Sequence, residues 1–427
     1  MTSTAELYDL FLNSNGVSID TRNILCGNMF FCLRGENFNG NIFAAEALEK
    51  GASFVVIDQP EYKLDERCIL VNNTLSALQS LAHFHRKKLN IPVIGITGTN
   101  GKTTTKELIY TVLSSKYRVH ATQGNLNNHI GVPLTLLGID RKSTQIAIVE
   151  MGANHIGEIA ELCQIAEPNY GIITNIGKAH LEGFGSIEGI IKTKSALYQF
   201  IADVNGLVFV NSEDELLIKL SDNIKRFTYG KSADYKGNCL NDNLLLKLFL
   251  PDYNLDIQTQ LIGDYNFYNV MAAIAVGLYF SVTVEDIKIS LASYTPKNSR
   301  SQLVKKGNKT IIIDAYNANP SSMEQAICNL SKLELPAKTL LLGDMAELGK
   351  DSVFEHQQIV DLIRKFSFDY VYLFGSEFAK TNVDISWVYN DYEQLKTALK
   401  KELPDNAAIL IKGSRSMKME RFLEIIE

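Results

Sequence analysis

The sequence predicts an α/β protein of three domains. Its 427 residues exceed what one hydrophobic core usually serves, so two or three domains are expected. Short apolar strands alternate with helical stretches, which is the pattern of mostly parallel sheets covered by helices. A glycine-rich stretch, GITGTNGKTTTKE (95–107), lies between one such strand and a helix. These features together predict a strand–loop–helix unit over residues 92–116.

The first domain is predicted to span residues 1–91. It contains a helix over 41–52 and ends in a helix over 75–88, and Asn90 and Pro92 then mark a boundary. The other predicted strands of this domain are 29–33 and 53–58.

The second domain is predicted to span residues 92–295 around a mostly parallel sheet. Its expected strands and helices are strands 92–97, 145–151, 170–176 and 206–211, and helices 102–116, 266–280 and 284–293. Residues 224–262 carry short strand-like runs, which we interpret as an antiparallel edge. The third domain, 296–427, is predicted to be a smaller doubly wound unit with strands 310–314, 338–344, 370–375 and 407–413.

Composition excludes several classes of protein. The formal net charge of −6 argues against general binding to nucleic acid, and 46% hydrophobic with 21% charged residues is ordinary for a globular protein. The six cysteines form no C-x-x-C pair, which argues against zinc fingers and fits a reducing compartment. The N-terminus does not have the form of a signal peptide, and no apolar run reaches the roughly 18 residues of a membrane helix. We therefore expect a cytoplasmic protein without membrane insertion.

The glycine-rich stretch has the chemistry of a phosphate-binding loop. Such a loop turns backbone N–H groups inward, which requires small residues such as Gly98 and Gly101, and it uses a helix N-terminus that points at the anion. Lys102 would add a positive charge, and Thr103 or Thr104 would offer a hydroxyl to Mg²⁺. The alternative is a glycine-rich turn with a solvated lysine. We favour the phosphate loop because a buried strand, three glycines, G-K-T and a helix rarely coincide.

Other polar residues follow strands or begin helices. Glu150 ends a strand and is either a metal ligand or a strand-end residue that faces water, and a neighbouring phosphate loop favours the metal. His180 and Lys194, taken alone, are more often structural or solvated. Asn266 and Asn269 open a helix, where they either cap it or contact a base edge.

A last group of polar residues lies in the third domain. It comprises Arg300 and the stretches IDAYNANPSS (313–322), GDMAELG (343–349) and IKGSRSMKMER (411–421). The last stretch puts Lys412, Gly413, Ser414 and Arg415 at a strand end before a predicted helix. We interpret it as an anion site or as a basic helix start that serves solubility.

These stretches together resemble the Mur ligases over essentially the whole chain. The family writes its loop as G-x-x-G-x-x-G-K-[ST], and this chain matches it at Gly95, Gly98, Gly101, Lys102 and Thr103. The other stretches that carry the resemblance are GNLNNHIGVP (124–133), VEMGANHIGEIA (149–160), AHLEGFGS (179–186), DAYNANP (314–320), GDMAELG and KGSRSMKMER.

The resemblance implies a UDP-binding domain, a P-loop-type ATPase domain and a C-terminal Rossmann-like domain, in that order. It implies catalytic roles for Lys102, His180 and Lys194, two Mg²⁺ ions, and carbamylation of Lys194 by CO₂. The implied metal ligands are Thr103, Glu150, His180 and Lys194. The implied ATP-binding residues are Gly98, Thr99, Asn100, Gly101, Lys102, Thr103, Thr104, Asn266, Asn269, Arg300, Asp314, Tyr316 and Asn317. The implied substrate-binding residues are Thr21, Arg22, Asn127, Asn128, Lys412, Ser414 and Arg415.

The resemblance also implies the substrates. The NANP and KGSRSM stretches are typical of the member that uses ATP to join D-alanyl-D-alanine to UDP-N-acetylmuramoyl-tripeptide, and a monomer is expected. Another Mur-type ligase, a folylpolyglutamate synthase or a weakly active nucleotide-binding paralogue remain alternatives. The chain departs from the family pattern at Asn41, His129, Ala196, Tyr265 and Ile313.

Overall fold

The computed structural model describes residues 2–240, 244–297 and 299–426. It contains three domains along the chain, each built around its own parallel or mostly parallel sheet. The predicted fold class is confirmed, whereas the bounds 1–91, 92–295 and 296–427 stay a prediction. None of the helices in the described part of the chain is long and apolar enough to cross a bilayer.

The first domain has a four-stranded parallel sheet in the order β1-β2-β5-β6 and a separate hairpin, β3-β4. The predicted helix over 41–52 is shorter than expected, because residues Gly40–Phe43 form a 3-10 turn before it. The elements are α1 Thr4–Leu12, β1 Val17–Ser18, β2 Met29–Phe31, β3 Arg34–Gly35, β4 Phe38–Asn39, α2 Ala44–Glu49, β5 Phe54–Ile57, β6 Cys68–Leu70 and α3 Thr74–Lys88.

The first domain shares its hydrophobic core with the second. Leu78 and Leu81 of α3 belong to the same buried cluster as Val132 and Leu136 of the second domain. Arg86, near the end of α3, also donates hydrogen bonds to main-chain oxygens of the second domain. These two domains are therefore held together by apolar packing as well as by polar contacts.

The second domain has a seven-stranded parallel sheet in the order β13-β12-β11-β10-β7-β9-β8. Its strands are β7 Val93–Thr97, β8 Val119–Ala121, β9 Ile146–Glu150, β10 Tyr170–Ile173, β11 Leu207–Asn211, β12 Lys225–Gly230 and β13 Tyr235–Lys236. Its helices are α4 Lys102–Ser114, α5 Gly131–Leu137, α6 Glu158–Ala166, α7 Leu181–Phe184, α8 Ile187–Asp203, α9 Glu215–Leu220, α10 Phe267–Tyr279 and α11 Val284–Ser293.

The interpretation of 224–262 as an antiparallel edge is right only in part. Strands β12 and β13 extend the main sheet in parallel. The rest forms a separate antiparallel sheet of three strands, β14 Asn238–Leu240, β15 Leu245–Leu250 and β16 Leu255–Ile262. The alternating burial of β15 shows that one face of this strand is buried and the other is partly exposed.

The third domain has a six-stranded sheet in the order β17-β18-β22-β19-β20-β21, in which only the pairing of β17 with β18 is antiparallel. Its elements are β17 Gln302–Lys306, β18 Lys309–Asp314, α12 Pro320–Lys332, β19 Lys338–Gly343, α13 Ser352–Ile363, β20 Tyr370–Phe374, β21 Val388–Tyr389, α14 Tyr392–Glu402 and β22 Ala408–Lys412. The helix predicted after β22 is wrong. Residues Arg415–Met417 and Met419–Glu424 form 3-10 turns, which Lys418 interrupts with a left-handed φ of 49°.

Candidate active site

Three neighbouring strands bring their polar residues to one edge of the central sheet. Strand β7 pairs in parallel with β9 on one side and with β10 on the other, so that Ile96 lies beside Glu150 and Thr97 beside Ile173. The loops that follow these strands therefore meet at the carboxyl edge. That edge is where open α/β sheets bind ligands.

The glycine-rich loop needs its glycines for conformation and for space. Gly98 and Gly101 have φ values of 146° and 79°, which side chains rarely adopt. A Cβ on Gly101 would lie 2.5 Å from Oδ1 of Asn269, and a Cβ on Gly98 would collide with Thr174. Helix α4 begins directly after the loop at Lys102, so its unpaired N–H groups face the same space.

A cavity of about 810 Å³ lies between this edge and the third domain. The predicted site residues that line it are Thr99, Asn100, Gly101, Lys102, Thr103, Thr104, Asn127, Asn128, Glu150, His180, Asn266, Asn269, Arg300, Asp314, Tyr316, Asn317 and Lys412. Six predicted residues do not line it, namely Thr21, Arg22, Gly98, Lys194, Ser414 and Arg415. The structure thus brings together most of the residues expected at ATP.

Two lysines, the half-buried Lys102 and the buried Lys194, share one acceptor in the loop. Lys102 Nζ donates to the main-chain oxygens of Gly98 (2.8 Å) and Thr99 (3.0 Å), and Lys194 Nζ donates to the same Gly98 oxygen (3.0 Å). Burial lowers the pKa of Lys102. Burial, and then the neighbouring charge of Lys102, lower the pKa of Lys194 to well below its ordinary value. The neutral amine form of Lys194 is therefore more favoured than that of an exposed lysine.

Glu150 is buried with one carboxylate oxygen still available. Its Oε1 accepts hydrogen bonds from Thr103 Oγ1 (3.1 Å) and Asn127 Nδ2 (2.8 Å), whereas the buried Oε2 has no hydrogen-bond partner. A carboxylate beside a threonine hydroxyl and a phosphate loop is the donor set that Mg²⁺ uses, since this ion takes few protein ligands and completes its shell with phosphate and water. No cluster of three or more His, Cys, Asp or Glu side chains suited to a metal occurs among the described residues. The residues therefore fit Mg²⁺ bound together with nucleotide.

His180 faces the third domain. It has a left-handed φ of 50° and occupies the N-cap position before α7, and its Nδ1 lies against the Glu347 carboxylate. This contact lowers the pKa of Glu347. Glu347 was not among the residues predicted from the sequence. It lies in the GDMAELG stretch, and an acidic residue that follows a predicted strand could have indicated a site residue.

Asn266 and Asn269 hold the start of α10 against the phosphate loop. Asn266 occupies the N-cap position but makes no side-chain capping bond; its Nδ2 donates to Ile262 O (2.8 Å). Asn269 Nδ2 donates to Asn266 Oδ1 (2.9 Å), and its Oδ1 accepts from Thr105 Oγ1 (3.0 Å). The structure therefore contradicts the alternative that the Asn266 side chain caps α10.

The third domain contributes a stacked arginine and a buried ion pair. The Arg300 guanidinium lies 3.5 Å from the centre of the Tyr316 ring, which is a cation–π contact. Asp314 accepts from Ser301 N (3.2 Å) and pairs with Lys412 (2.5 Å), whose side chain is only 2% exposed. Lys412 thus neutralises Asp314.

Three other predicted substrate residues are engaged by the protein itself. Asn128 Oδ1 accepts from the main-chain N–H groups of Ile130 and Gly131 at the start of α5. Ser414 is buried, and its Oγ accepts from Ala346 N (2.7 Å). Arg415 pairs with Glu420 (3.3 Å) on the surface.

Thr21 and Arg22 lie in the first domain, away from the lining of this cavity. The Arg22 side chain is 85% exposed and forms a two-point ion pair with Asp20, which lowers the pKa of Asp20 to about 2. Lys50 Nζ donates to the main-chain oxygen of Thr21 (3.1 Å). The Arg22 end of this small polar group is open to solvent.

Comparison with known proteins covers all three domains. The sequence profile "Mur ligase family, catalytic domain" matches residues 13–86, "Mur ligase middle domain" matches 96–277, and "Mur ligase, glutamate ligase domain" matches 299–415. The chain belongs to the Mur ligase family.

Relatives within the Mur ligase family are similar over almost their whole length. The UDP-N-acetylmuramoyl-tripeptide–D-alanyl-D-alanine ligase of Bacillus subtilis is 36% identical over 96% of this chain and 92% of its own, and that of Escherichia coli is 31% identical over 99% and 96%. Among solved structures, MurF from Acinetobacter baumannii is similar with a TM-score of 0.84 at 29% identity, covering 98% of this chain and 97% of its own. MurF from Thermotoga maritima in complex with ADP is similar with a TM-score of 0.85 at 28% identity, covering 98% of each chain.

Proposed function

We propose that this Mur ligase is the enzyme that joins D-alanyl-D-alanine to UDP-N-acetylmuramoyl-tripeptide with ATP, in the cytoplasmic synthesis of peptidoglycan precursors. The observation that carries the proposal is the cavity itself, where a phosphate loop with a free carboxylate oxygen on Glu150 faces Arg300 and Tyr316 of another domain. The names of the full-length relatives supply the substrates.

The chemistry explains why such a cavity is needed. A carboxylate is a poor electrophile, so the γ-phosphoryl group of ATP is first transferred to the acceptor carboxylate. The acyl phosphate that forms has phosphate as its leaving group. The amine of the dipeptide then attacks the carbonyl carbon and loses a proton, the C–O bond to phosphate breaks, and ADP, phosphate and amide remain. The protein aligns the reactants and neutralises charge.

We assign the phosphate contacts to the loop. In the proposal Lys102 leaves the Gly98 and Thr99 oxygens that it now contacts and bonds to the outer phosphates, together with the main-chain N–H groups of residues 101–104 at the start of α4. Thr103 and Glu150 would hold one Mg²⁺, and His180 with carbamylated Lys194 a second. Bound Mg²⁺ neutralises phosphate charge during phosphoryl transfer.

The burial of Lys194 favours its carbamylation. Only a neutral amine adds to CO₂, and the lowered pKa of Lys194 favours that form. The product is an anion on a long stem, which places a negative charge beside Lys102. The Gly98 oxygen that now accepts from both lysines would then lose Lys194 as a donor.

The remaining assignments follow the domains. We assign the UDP group to Thr21 and Arg22, the adenosine to Asn266, Asn269, Arg300, Asp314, Tyr316 and Asn317, and the peptide substrates to Asn127, Asn128, Lys412, Ser414 and Arg415. For Asn128, Lys412 and Ser414 the contacts to protein mean that they shape the peptide site through their neighbours. We further propose that the protein acts as a monomer.

Phosphate release tests the proposal. Purified protein with Mg²⁺, ATP and UDP-N-acetylmuramoyl-tripeptide should release phosphate steadily only when D-alanyl-D-alanine is present, with one amide formed per phosphate. A panel of single amino acids and of folate with glutamate serves as control. Turnover with one of those pairs instead would assign the chain to another Mur-type ligase or to folylpolyglutamate synthesis, and no turnover with any pair would indicate a nucleotide-binding paralogue.

A further inference from the structure

The segment that follows β10, residues 174–180, is bonded along one side to the phosphate loop. Thr174 Oγ1 and Asn175 Nδ2 donate to Asn100 O (2.6 and 3.0 Å), and Asn100 N donates to Asn175 Oδ1 (3.0 Å). Thr99 Oγ1 donates to Gly177 O (3.1 Å) and accepts from Gly177 N (2.9 Å). The position of this segment therefore sets the position of Thr99 and Asn100. We name residues 174–180 the coupling segment.

The far end of the coupling segment is bonded to the third domain. Lys178 N donates to Ser321 Oγ (3.1 Å), and Lys178 Nζ donates to Glu355 Oε1 (2.8 Å). Ser321 lies in the first turn of α12, and Glu355 in the first turn of α13. One residue of the second domain thus holds two helices of the third through different atoms.

The ion pair between Lys178 and Glu355 is unlike an ordinary surface pair. The Glu355 side chain is only 6% exposed, whereas that of Lys178 is 45% exposed. Exposed pairs contribute little because water screens them, but a carboxylate taken out of water depends on its cation. The pair should therefore favour the arrangement in which the third domain lies against the coupling segment.

We propose that Lys178 is a positioning residue that couples closure of the third domain to the shape of the phosphate loop. When the domain is closed, Ser321 and Glu355 fix Lys178, and the coupling segment then holds Thr99 and Asn100 around the phosphates. When the domain moves away, Lys178 loses both partners and the loop loses this support. The role in catalysis rests on the proposed ligase function, whereas the coupling itself requires only nucleotide binding.

Four variants separate the ion pair from general effects of charge. Lys178→Met keeps the aliphatic stem and removes the charge, Glu355→Gln removes the other partner, and the double variant removes both. Lys396→Met is the matched control, because Lys396 pairs with Glu393 at the same 2.8 Å on an exposed face of α14.

Two measurements report closure of the third domain and its effect on the loss of acyl phosphate to water. X-ray scattering with and without the Mg²⁺ complex of AMP-PNP measures compaction of the whole chain. Phosphate released per amide formed measures the loss of acyl phosphate to water, which incomplete closure should increase. Lys178→Met and Glu355→Gln should each show less compaction, about tenfold lower kcat and a higher phosphate-to-amide ratio. The double variant should show defects in compaction, kcat and phosphate-to-amide ratio no larger than those of Lys178→Met, because the effects of removing two partners of one interaction do not add.

The proposal is overturned if both single variants compact as the wild type does and keep its phosphate-to-amide ratio, or if their effects on kcat add in the double variant. Lys396→Met should match the wild type in every measurement, and an equal defect there would also overturn it. A wild type without ligase activity would refute the proposed function, while the scattering comparison would still decide whether Lys178 governs closure.

Discussion

The side-chain amide of Asn319 donates from Nδ2 to Oδ1 of Asn100 over 2.8 Å, so the third domain contacts the phosphate loop directly. The same amide caps α12, because Asn319 Oδ1 accepts from Ser322 N (2.9 Å). An asparagine before a helix-starting proline is an ordinary capping signal. The contact with Asn100 is not needed for capping, so it connects the NANP stretch to the candidate site as well.

The free oxygen of Glu150 leads to a prediction about metal binding. Glu150→Gln should raise the Mg²⁺ concentration for half-maximal phosphate release at least about tenfold, because an amide is a weaker ligand than a carboxylate. Without metal, the free energy of unfolding in urea should rise by about 1 kcal/mol, since a buried charge with an unpaired oxygen has been removed. Glu161→Gln, on the exposed side of α6, should change neither value. Unchanged Mg²⁺ dependence would contradict the assignment.

The buried position of Lys194 leads to a prediction about chemical rescue. Lys194→Ala should lose most ligase activity, because neither the lysine nor its carbamate is present. Acetate or propionate should restore part of it at concentrations of roughly 1 mM or more, as expected for one small contact. Chloride at matched ionic strength is the control. Wild-type turnover in the variant would show that the carbamate has no role here.

The exposed arginine of the first domain leads to a prediction about substrate affinity. Arg22→Ala should raise KM for the UDP-linked substrate about tenfold, the effect of one charged hydrogen bond, and leave KM for ATP unchanged. Arg67 is a matched control, because it forms the same two-point pair with the acid two residues before it, Asp65, in the same domain. An equal change in both KM values, or the same effect in Arg67→Ala, would argue against a UDP site at Arg22.

His85 leads to a prediction about acid stability. This buried histidine lies between the first and second domains, with Nε2 3.2 Å from Ile139 O and Nδ1 3.4 Å from Tyr8 OH, whose oxygen accepts from Arg141. Burial lowers its pKa below 6.5, and the Arg141 charge adds to this. His85 therefore binds a proton more readily in the unfolded chain than in the folded chain, so the free energy of unfolding falls as pH drops below 6.5.

His85→Gln keeps a donor for Ile139 O and removes the titration. Between pH 7 and pH 5 its free energy of unfolding should fall by about 1 kcal/mol less than that of the wild type, measured by urea unfolding at both values. The exposed His129, changed to Gln, should leave the wild-type pH dependence in place. Equal pH dependence for His85→Gln and the wild type would exclude His85 as a source of acid sensitivity.

The sequence was sufficient for the elements whose pattern is local. Strand 92–97, the loop and the helix from Lys102 could be predicted because apolar runs, glycines and G-K-T leave few alternatives. The turns after β22 could not be predicted, because a lysine gives no indication in the sequence that it will adopt a left-handed φ, as Lys418 does. The shared core of the first two domains was also missed, since α3 shows an apolar face but not which domain that face covers.

The site could be predicted where a strand end or the loop fixes a residue, as for Glu150 and Lys102. It could not be predicted where the contact joins distant segments. Lys178 and Glu355 are an ordinary lysine and glutamate in sequence, 177 positions apart, and only the fold makes them partners. Lys412 shows the same difficulty, because a basic residue at a strand end does not reveal that Asp314 will neutralise it.

The packing of α3 on α5 has a consequence for substrate choice. Because Leu78, Leu81, Val132 and Leu136 lie in one buried cluster, the span from the first domain to the phosphate loop is fixed. With the UDP group at Thr21 and Arg22, as we propose, the acceptor would have to reach across that span, and each residue of an extended peptide covers about 3.5 Å. A peptide one residue short would leave its carboxylate that far from the phosphoryl donor. The length of the acceptor would therefore limit which peptides can bring their carboxylate to the phosphoryl donor, whatever side chains they carry.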